Sequence, residues 1–556
     1  MTTARPVSAS AASIALGGAG TVRVGQANAL AAATEGVQVF AGTLDLHGVT
    51  AVRARDIALL GGAASALVNS DTARGASFQQ EVVLGTAAAS RVGGAGHLAL
   101  GGTISGPGAI DKVGAGMLLL SGTNSHSGGT TVSGGVLSVA RDANLGSGSL
   151  QLQGGTLRNS GAFITARQVT LGADGGTFDT AGGFLTVNGA VDGSGGLTKT
   201  GNDILTLAGA KTYSGATVVT AGTLKLAANG ASALHAASPG IAVAAGARVL
   251  FTGTQAYAGT ITGAGQLVHE FGGTTMLTGT ALHTGGTLIS GGTLQVGDGG
   301  SRGALASDVV DNGLLAFNRS DDVVYAGTIS GTGGVAQLGP GSLRLMGSHS
   351  YRGATSVRAG TLVVDGAARD SAFSVDAGAT LAGHGQVGAL AVAGILAPGH
   401  SPGQISAGAT TFAAGGQYVW EIHDGTGAAG IGHDLLTVAG SLTIDASPDS
   451  RFTVRLVSLL GDHTPGGAVH FDATIDHRFT LVSTSAGVLG FSADEVAIDS
   501  SGFRNASFGG QWAVAVTGQD LTLNFTAAVP EPGTYALFLA GLLVLGKAVR
   551  RQQLSA

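Results

Sequence analysis

"GTISGPGAIDKVGAGMLLLSGTNSHSGGTTVSGGVLSV", Gly102 to Val139, returns three more times without a gap. The other copies run from Gly189 to Leu226, Gly259 to Val296 and Gly327 to Val364, so the starts lie 87, 70 and 68 residues apart. Aligned, they form apolar columns: Ile104, Val191, Ile261, Ile329; Ile110, Leu197, Leu267, Val335; Leu120, Leu207, Leu277, Leu345. A fourth column, Leu137, Leu224, Leu294 and Leu362, stands two positions before Val139, Leu226, Val296 and Val364. Spacing by two is the strand period and puts both side chains on one face. Glycines recur between the columns, at Gly106, Gly193, Gly263, Gly331 and again at Gly135, Gly222, Gly292, Gly360. Short strands broken at fixed places by glycine predict a solenoid.

The predicted fold is all-β: a right-handed parallel β-helix with a C-terminal β-rich cap and a short C-terminal transmembrane helix. At about 19 residues per coil, each unit makes two coils. Roughly 400 residues of coil, stacked ~4.8 Å apart, would reach on the order of 100 Å. One unit buries too few aliphatic side chains to offset the ordering entropy of its own residues, so neighbours must share the stabilisation. A disordered glycine-rich filler is the competing reading, and aligned apolar columns argue against it.

Composition agrees. The chain of 556 residues has 99 glycines, 10 prolines and no cysteine, with 44% hydrophobic and only 11% charged residues. Such a balance allows a packed core and lacks the high charge of disorder. Lys plus Arg total 27 against 33 Asp plus Glu, with no basic run, so no nucleic-acid partner is expected. Absent cysteine excludes disulfides and thiolate metal sites. The opening "MTTARPVSASAASIALGGAG" lacks an apolar block of about 7–15 residues, and no secretory signal is read there.

The expected domains are an N-terminal segment (1–38), the β-helix (39–445, with units at 102–139, 189–226, 259–296 and 327–364), a closing module (446–527) and a tail (528–556). Tyr418 and Trp420 stand where a solenoid end needs plugging, and Gly518-Gln519-Asp520 reads as a hairpin turn.

The repeat cadence resembles the autotransporter-associated β-strand repeat of bacterial surface passengers, and "LAPGHSPGQI" (Leu396 to Ile405) looks like the segment that closes them. The tail "VPEPGTYALFLAGLLVLGKAVRR" resembles the PEP-CTERM sorting signal: Pro530-Glu531-Pro532, a short apolar run, then Arg550 and Arg551. That resemblance implies export, recognition of those residues by an exosortase-type membrane peptidase, transient inner-membrane anchoring through the apolar helix, and removal of the tail. A spanning helix normally needs ~20 apolar residues, so the short run with its Pro-Glu-Pro entry favours a sorting signal over a plain anchor. A self-translocating autotransporter is not expected, because a barrel of ~9–11-residue strands needs more chain than follows residue 445.

Catalytic chemistry is not evident. Hydrolysis of glycans needs paired carboxylates across a cleft. Asp321-Asp322 and Asp494-Glu495 are adjacent acids, which point to opposite faces of a strand, and Glu421 with Asp424 reads as a turn. His423, His433 and Asp434 raise the question of a metal, but the fourteen histidines are scattered and no ligand spacing stands out. His126 and His349 are expected at surface turns of the repeat. The glycine clusters lack the Lys-Ser/Thr pair of a phosphate loop. Lys112 and Lys199 share a column that His269 and Gln337 occupy in the other copies, which reads as a solvated rim. No cofactor, metal or catalytic residue is therefore assigned. The leading function is an exported, non-enzymatic surface or matrix protein whose repeated polar face meets exopolysaccharide or cell-surface glycans. The alternative is a carbohydrate-active β-helix enzyme, a lyase or hydrolase.

Overall fold

The computed structural model describes residues 13–85, 88–227, 240–529 and 539–547. They divide into two compact units, one spanning residues up to 321 with 325–335, the other residues 322–324 with 336 onward. Each is a parallel β-solenoid.

Among the described residues of the first unit, sheets of five, nine, nine and twelve strands, with strands 255–257, 274–277, 293–296 and 314–317 of a further sheet, form the walls, and their strands pair in parallel from coil to coil. The quoted repeat shows why. Met117–Leu120 lies against Val136–Val139, with Leu118 opposite Leu137 and Leu120 opposite Val139. Ile204–Leu207 meets Thr223–Ala227, and Thr274–Leu277 meets Thr293–Val296, in the same step of 19 residues. The second unit repeats it, with Ser342–Leu345 on Thr361–Val364. Every member of the four aliphatic columns is 0 or 1% exposed. The solenoid and the coil length expected from the sequence are thus met.

Glycine serves two purposes. Gly106, Gly193, Gly263 and Gly331 take φ of 99°, 110°, 96° and 109°, a region L side chains rarely enter. A Cβ at each would also run into the carbonyl of Leu84, Leu171, Val243 or Asp311 one coil away. Gly122, Gly209 and Gly279 need no positive φ; there a Cβ would strike the carbonyl of another glycine, Gly102, Gly189 or Gly259.

Two sequence expectations are corrected inside the coils. The Lys112 column is not a rim. Lys112, Lys199 and His269 are 0% exposed and Gln337 is 2% exposed. Lys112 replaces an aliphatic rung between Val92 and Val132, and Lys199 one between Phe178 and Val219. Lys112 Nζ donates to the carbonyls of Val113 (3.1 Å), Gly114 (2.8 Å) and Gly134 (2.9 Å). Lys199 Nζ does the same to Thr200 (2.9 Å), Gly201 (2.8 Å) and Ala221 (3.0 Å). Three donors meet three inward-facing turn carbonyls, which is what lets an ammonium sit in the core. Burial pushes both down to about 8, so they remain charged at neutral pH. Gln337 Nε2 serves two such carbonyls, of Gly339 (2.9 Å) and Gly341 (3.0 Å).

The histidines are inside as well: His126, His283 and His349 are 0, 1 and 5% exposed. His126 and His283 share a column with Tyr213 and Tyr351, and each polar tip reaches a threonine four residues on. The distances are 3.1 Å to Thr130, 3.0 Å to Thr287, 2.7 Å to Thr217 and 2.6 Å to Thr355. Three of these hydroxyls have a second partner, the Leu145 carbonyl (3.3 Å) for Thr130, Ser307 (2.8 Å) for Thr287 and Ser371 (2.8 Å) for Thr355, so the buried polar groups are tied together across coils.

In the second unit, strands 342–345, 361–364, 380–383, 395–398, 417–422, 452–458 and 496–502 stack in one parallel sheet. Tyr418 and Trp420 are fully buried there. Tyr418 donates to the Leu481 carbonyl (3.2 Å) and Trp420 Nε1 to that of Asp434 (3.0 Å). Antiparallel pairing enters where Asp520–Thr526 meets His477–Thr484 and Gln511–Thr517. Gly518, at φ 63°, and Gln519 form the two-residue hairpin turn. Phe471, Phe503, Trp512 and Phe525 pack their rings together beside it.

The described residues of the C-terminal helix are 539–547. Among the described residues no helix is long and apolar enough to cross a membrane. The expected transmembrane helix, and the transient inner-membrane anchoring drawn from it, therefore lack structural support.

Candidate functional site

Three successive strands of the second unit end side by side: Thr361–Val364, Thr380–Gly383 and Ile395–Pro398. They are in register, Gly383 lying opposite Pro398. The residues just past those ends are Asp365, His384 and His400. Strand spacing of about 4.8 Å brings their tips together. His400 Nε2 lies 2.9 Å from Asp365 Oδ1, and His384 Nδ1 lies 3.0 Å from the same oxygen. The imidazoles meet edge to face with centroids 5.0 Å apart. Arg344, one coil away, ion-pairs with Asp365 Oδ2, and its Nη2 is 3.4 Å from His400 Nε2. Asp365 is nearly buried, with 4% of its side chain exposed, whereas His384 and His400 are 54 and 48% exposed. Burial would raise the carboxyl of Asp365, but the Arg344 hydrogen bond and the charges of His400, Arg344 and His384 hold it below the usual range.

The loop carrying His400 is fixed from beneath. Asp434 accepts from Gly403 N–H (2.6 Å) and Glu421 N–H (2.9 Å), and burial pushes its own carboxyl well up. The imidazoles open onto a groove of about 520 Å³, lined also by Gln386, Pro402, Gln404 and Ser406.

Elsewhere the outward faces are plain. Thr131, Gln151 and Thr170 stand in register on the first unit. Ser356, Ser374, Ala391, Thr411 and Thr443 do so on the second. Part of the latter ladder floors a shallow groove of about 320 Å³.

The residues singled out from sequence fare differently. His433 lies in the core against Trp420 and Phe479, and burial pushes it down to about 4. Asp434 is the loop anchor, and His423 turns to the Ile431 carbonyl, 3.1 Å away. Asp321 is ion-paired with Arg319 (2.6 Å). Asp424 bonds Thr426 and His470 (both 3.0 Å), and Asp494 bonds Ser492. Pro530, Glu531, Pro532, Arg550 and Arg551 lie outside the described residues. Among the described residues, the grouping of at least three His and acid donors within 4.8 Å of one another is Asp365, His384 and His400. Sequence reasoning missed it because it looked for ligands close along the chain. Their signal is the coil step: 19 residues from Asp365 to His384, 16 from there to His400.

Comparison with known proteins agrees with the repeat and the tail. The passenger-associated-transport-repeat family matches residues 110–139, 197–226, 272–296 and 335–364, and all four matches end where the repeat copies end, at Val139, Leu226, Val296 and Val364. The PEP-CTERM protein-sorting motif matches residues 528–552. An extracellular serine protease of Serratia marcescens is 30% identical over 172 residues, 30% of this chain and 15% of the relative. The adhesin BmaC autotransporter of Brucella suis is 38% identical over 96 residues, 16% of this chain and 3% of the relative. The chain thus spans a small part of the length of these relatives. It carries passenger-type repeats and a PEP-CTERM sorting motif, a combination that supports an exported, cell-surface protein and implies processing by an exosortase-type membrane protein.

Proposed function

We propose that the chain is a non-enzymatic bacterial surface or extracellular-matrix protein whose coils present a repetitive uncharged face to exopolysaccharide or cell-surface glycans. The observation that carries this reading is the ladder of Ser356, Ser374, Ala391, Thr411 and Thr443, small and mostly hydroxylated, repeated once per coil. Each such contact is weak and uncharged, and a row of them at fixed spacing gains strength by multivalency. The adhesin relative favours the same reading. Glycan-array and cell-adhesion assays with the purified chain test it; absence of binding to any surface polymer counts against it. Release of reducing ends or unsaturated sugars from soluble polysaccharides, or cleavage of protein substrates, would favour an enzyme instead.

Pro530, Glu531, Pro532, Arg550 and Arg551 are the proposed sorting signal. Mass spectrometry of the mature protein from its host should find a C-terminus near Pro530, and Glu531→Ala should leave the tail attached. An intact tail in the mature wild-type protein would sink that assignment.

A further inference from the structure

We propose that Asp365 Oδ1, His384 Nδ1 and His400 Nε2 hold one divalent first-row transition ion of the Zn²⁺ class, with its remaining coordination positions open to the groove. The donor atoms already converge, at 2.9 and 3.0 Å for the two nitrogen–oxygen pairs and within 4.8 Å for the whole set. Ligands about 2.0–2.1 Å from a tetrahedral Zn²⁺ stand about 3.3 Å apart, so small rotations of two half-exposed imidazoles complete the geometry. Two imidazoles and one carboxylate select zinc, nickel, cobalt or copper over the all-oxygen preference of calcium and magnesium. Arg344 holds Asp365 Oδ2 and so aims Oδ1 at the histidines, the outer-partner role common around metal ligands.

A second observation points the same way. His400 Nε2 faces Asp365 Oδ1, which calls for a proton on that nitrogen, and also Arg344 Nη2 at 3.4 Å, which calls for a lone pair. A cation accepting the lone pair leaves the carboxylate to both it and Arg344. The groove of about 520 Å³ lined by both histidines admits water, or an oxygen or nitrogen donor from outside, to the open positions. Arg344 adds a positive charge close by, so binding is moderate in strength.

Titration calorimetry of the tag-free full chain, stripped with a chelator, tests this. Zn²⁺ should bind saturably at one per chain, tighter than about 100 μM, and Ca²⁺ should not. Co²⁺ should give visible d–d bands that Zn²⁺ displaces. His384→Asn and His400→Asn should each weaken Zn²⁺ by more than the ~10–100-fold typical of losing an outer partner. In the unaltered chain, Zn²⁺ should protect His384 and His400 from diethylpyrocarbonate, read by peptide mass mapping, which needs no variant to fold. No saturable binding, equal affinity for Ca²⁺, or binding without protection of these two histidines overturns the site.

Discussion

Lys199 sits where an aliphatic side chain would continue the ladder between Phe178 and Val219, and three backbone carbonyls make that possible. Lys199→Met should lower unfolding stability by about 1–3 kcal/mol, because those carbonyls lose their donors. Lys199→Gln, copying Gln337, should lose less, since an amide serves two of them; denaturant titration of both variants checks the order. The burial of this column was legible in the residues. Ile110, Leu197, Leu267 and Val335 point inward, and Lys112, Lys199, His269 and Gln337 stand two positions on, so the strand period alone turns them inward. Charge argued for solvent, and period carried the correct answer. His126 offers a second test. Burial, then the positive charge of Arg167, push it down to about 4, against a backbone hydrogen bond that raises it; burial lowers His269 and His283 too. The unfolded chain takes up these protons near pH 6.5, so the histidine contribution is whole above that pH and is lost as pH falls toward 4. Asp311, pushed up to about 6 by burial, opposes the trend. His126→Tyr keeps the threonine partner, as Tyr213 does, and removes one titration. The variant should retain on the order of 1–3 kcal/mol more of its neutral-pH stability at pH 4 than the parent does, measured by denaturant melts at both pH values.

Between strands, glycine sets where a coil can turn. Gly246 has φ of 78° and open space around its missing Cβ, whereas Gly193 has φ of 110° and the Leu171 carbonyl in the way. Gly246→Ala should therefore cost only the left-handed penalty of about 1–2 kcal/mol, and Gly193→Ala distinctly more, because the neighbouring coil must shift. Midpoints of thermal unfolding for the two variants give the comparison, both positions being in the first unit. The recurring glycines were visible in the sequence, though not their division of labour. The Gly106 column needs a backbone angle as well as closeness, the Gly122 column closeness alone, and one letter encodes both. The cluster of Asp365, His384 and His400 was hidden for a related reason. Its members adjoin only after the coils are stacked, and the eye reads ligands by local spacing.

At the scale of the whole chain, every coil is stabilised by the coils beside it. Hydrogen exchange should follow position within a unit: amides of Ile14–Leu16, paired on one side only among the described residues, should exchange faster than those of Val136–Val139, which lie between Met117–Leu120 and Thr156–Asn159. Equal protection of the two strands would mean that the first unit opens all at once. The solenoid itself was the most legible feature, since four gapless copies fix both the phase of the strands and the step of the coil.

The ammonium of Lys112 binds main-chain oxygens, which every amino acid supplies. Glutamine at Gln337 keeps that arrangement beside the same leucine, Leu343, whereas histidine brings a partner with it: His269 Nδ1 meets Thr275 Oγ1 at 3.1 Å, where the other copies have Leu118, Leu205 and Leu343. A search for coupled substitutions would catch the histidine copy and pass over the glutamine one, and a tally of identities would score as variable one of the most firmly enclosed places in the coil.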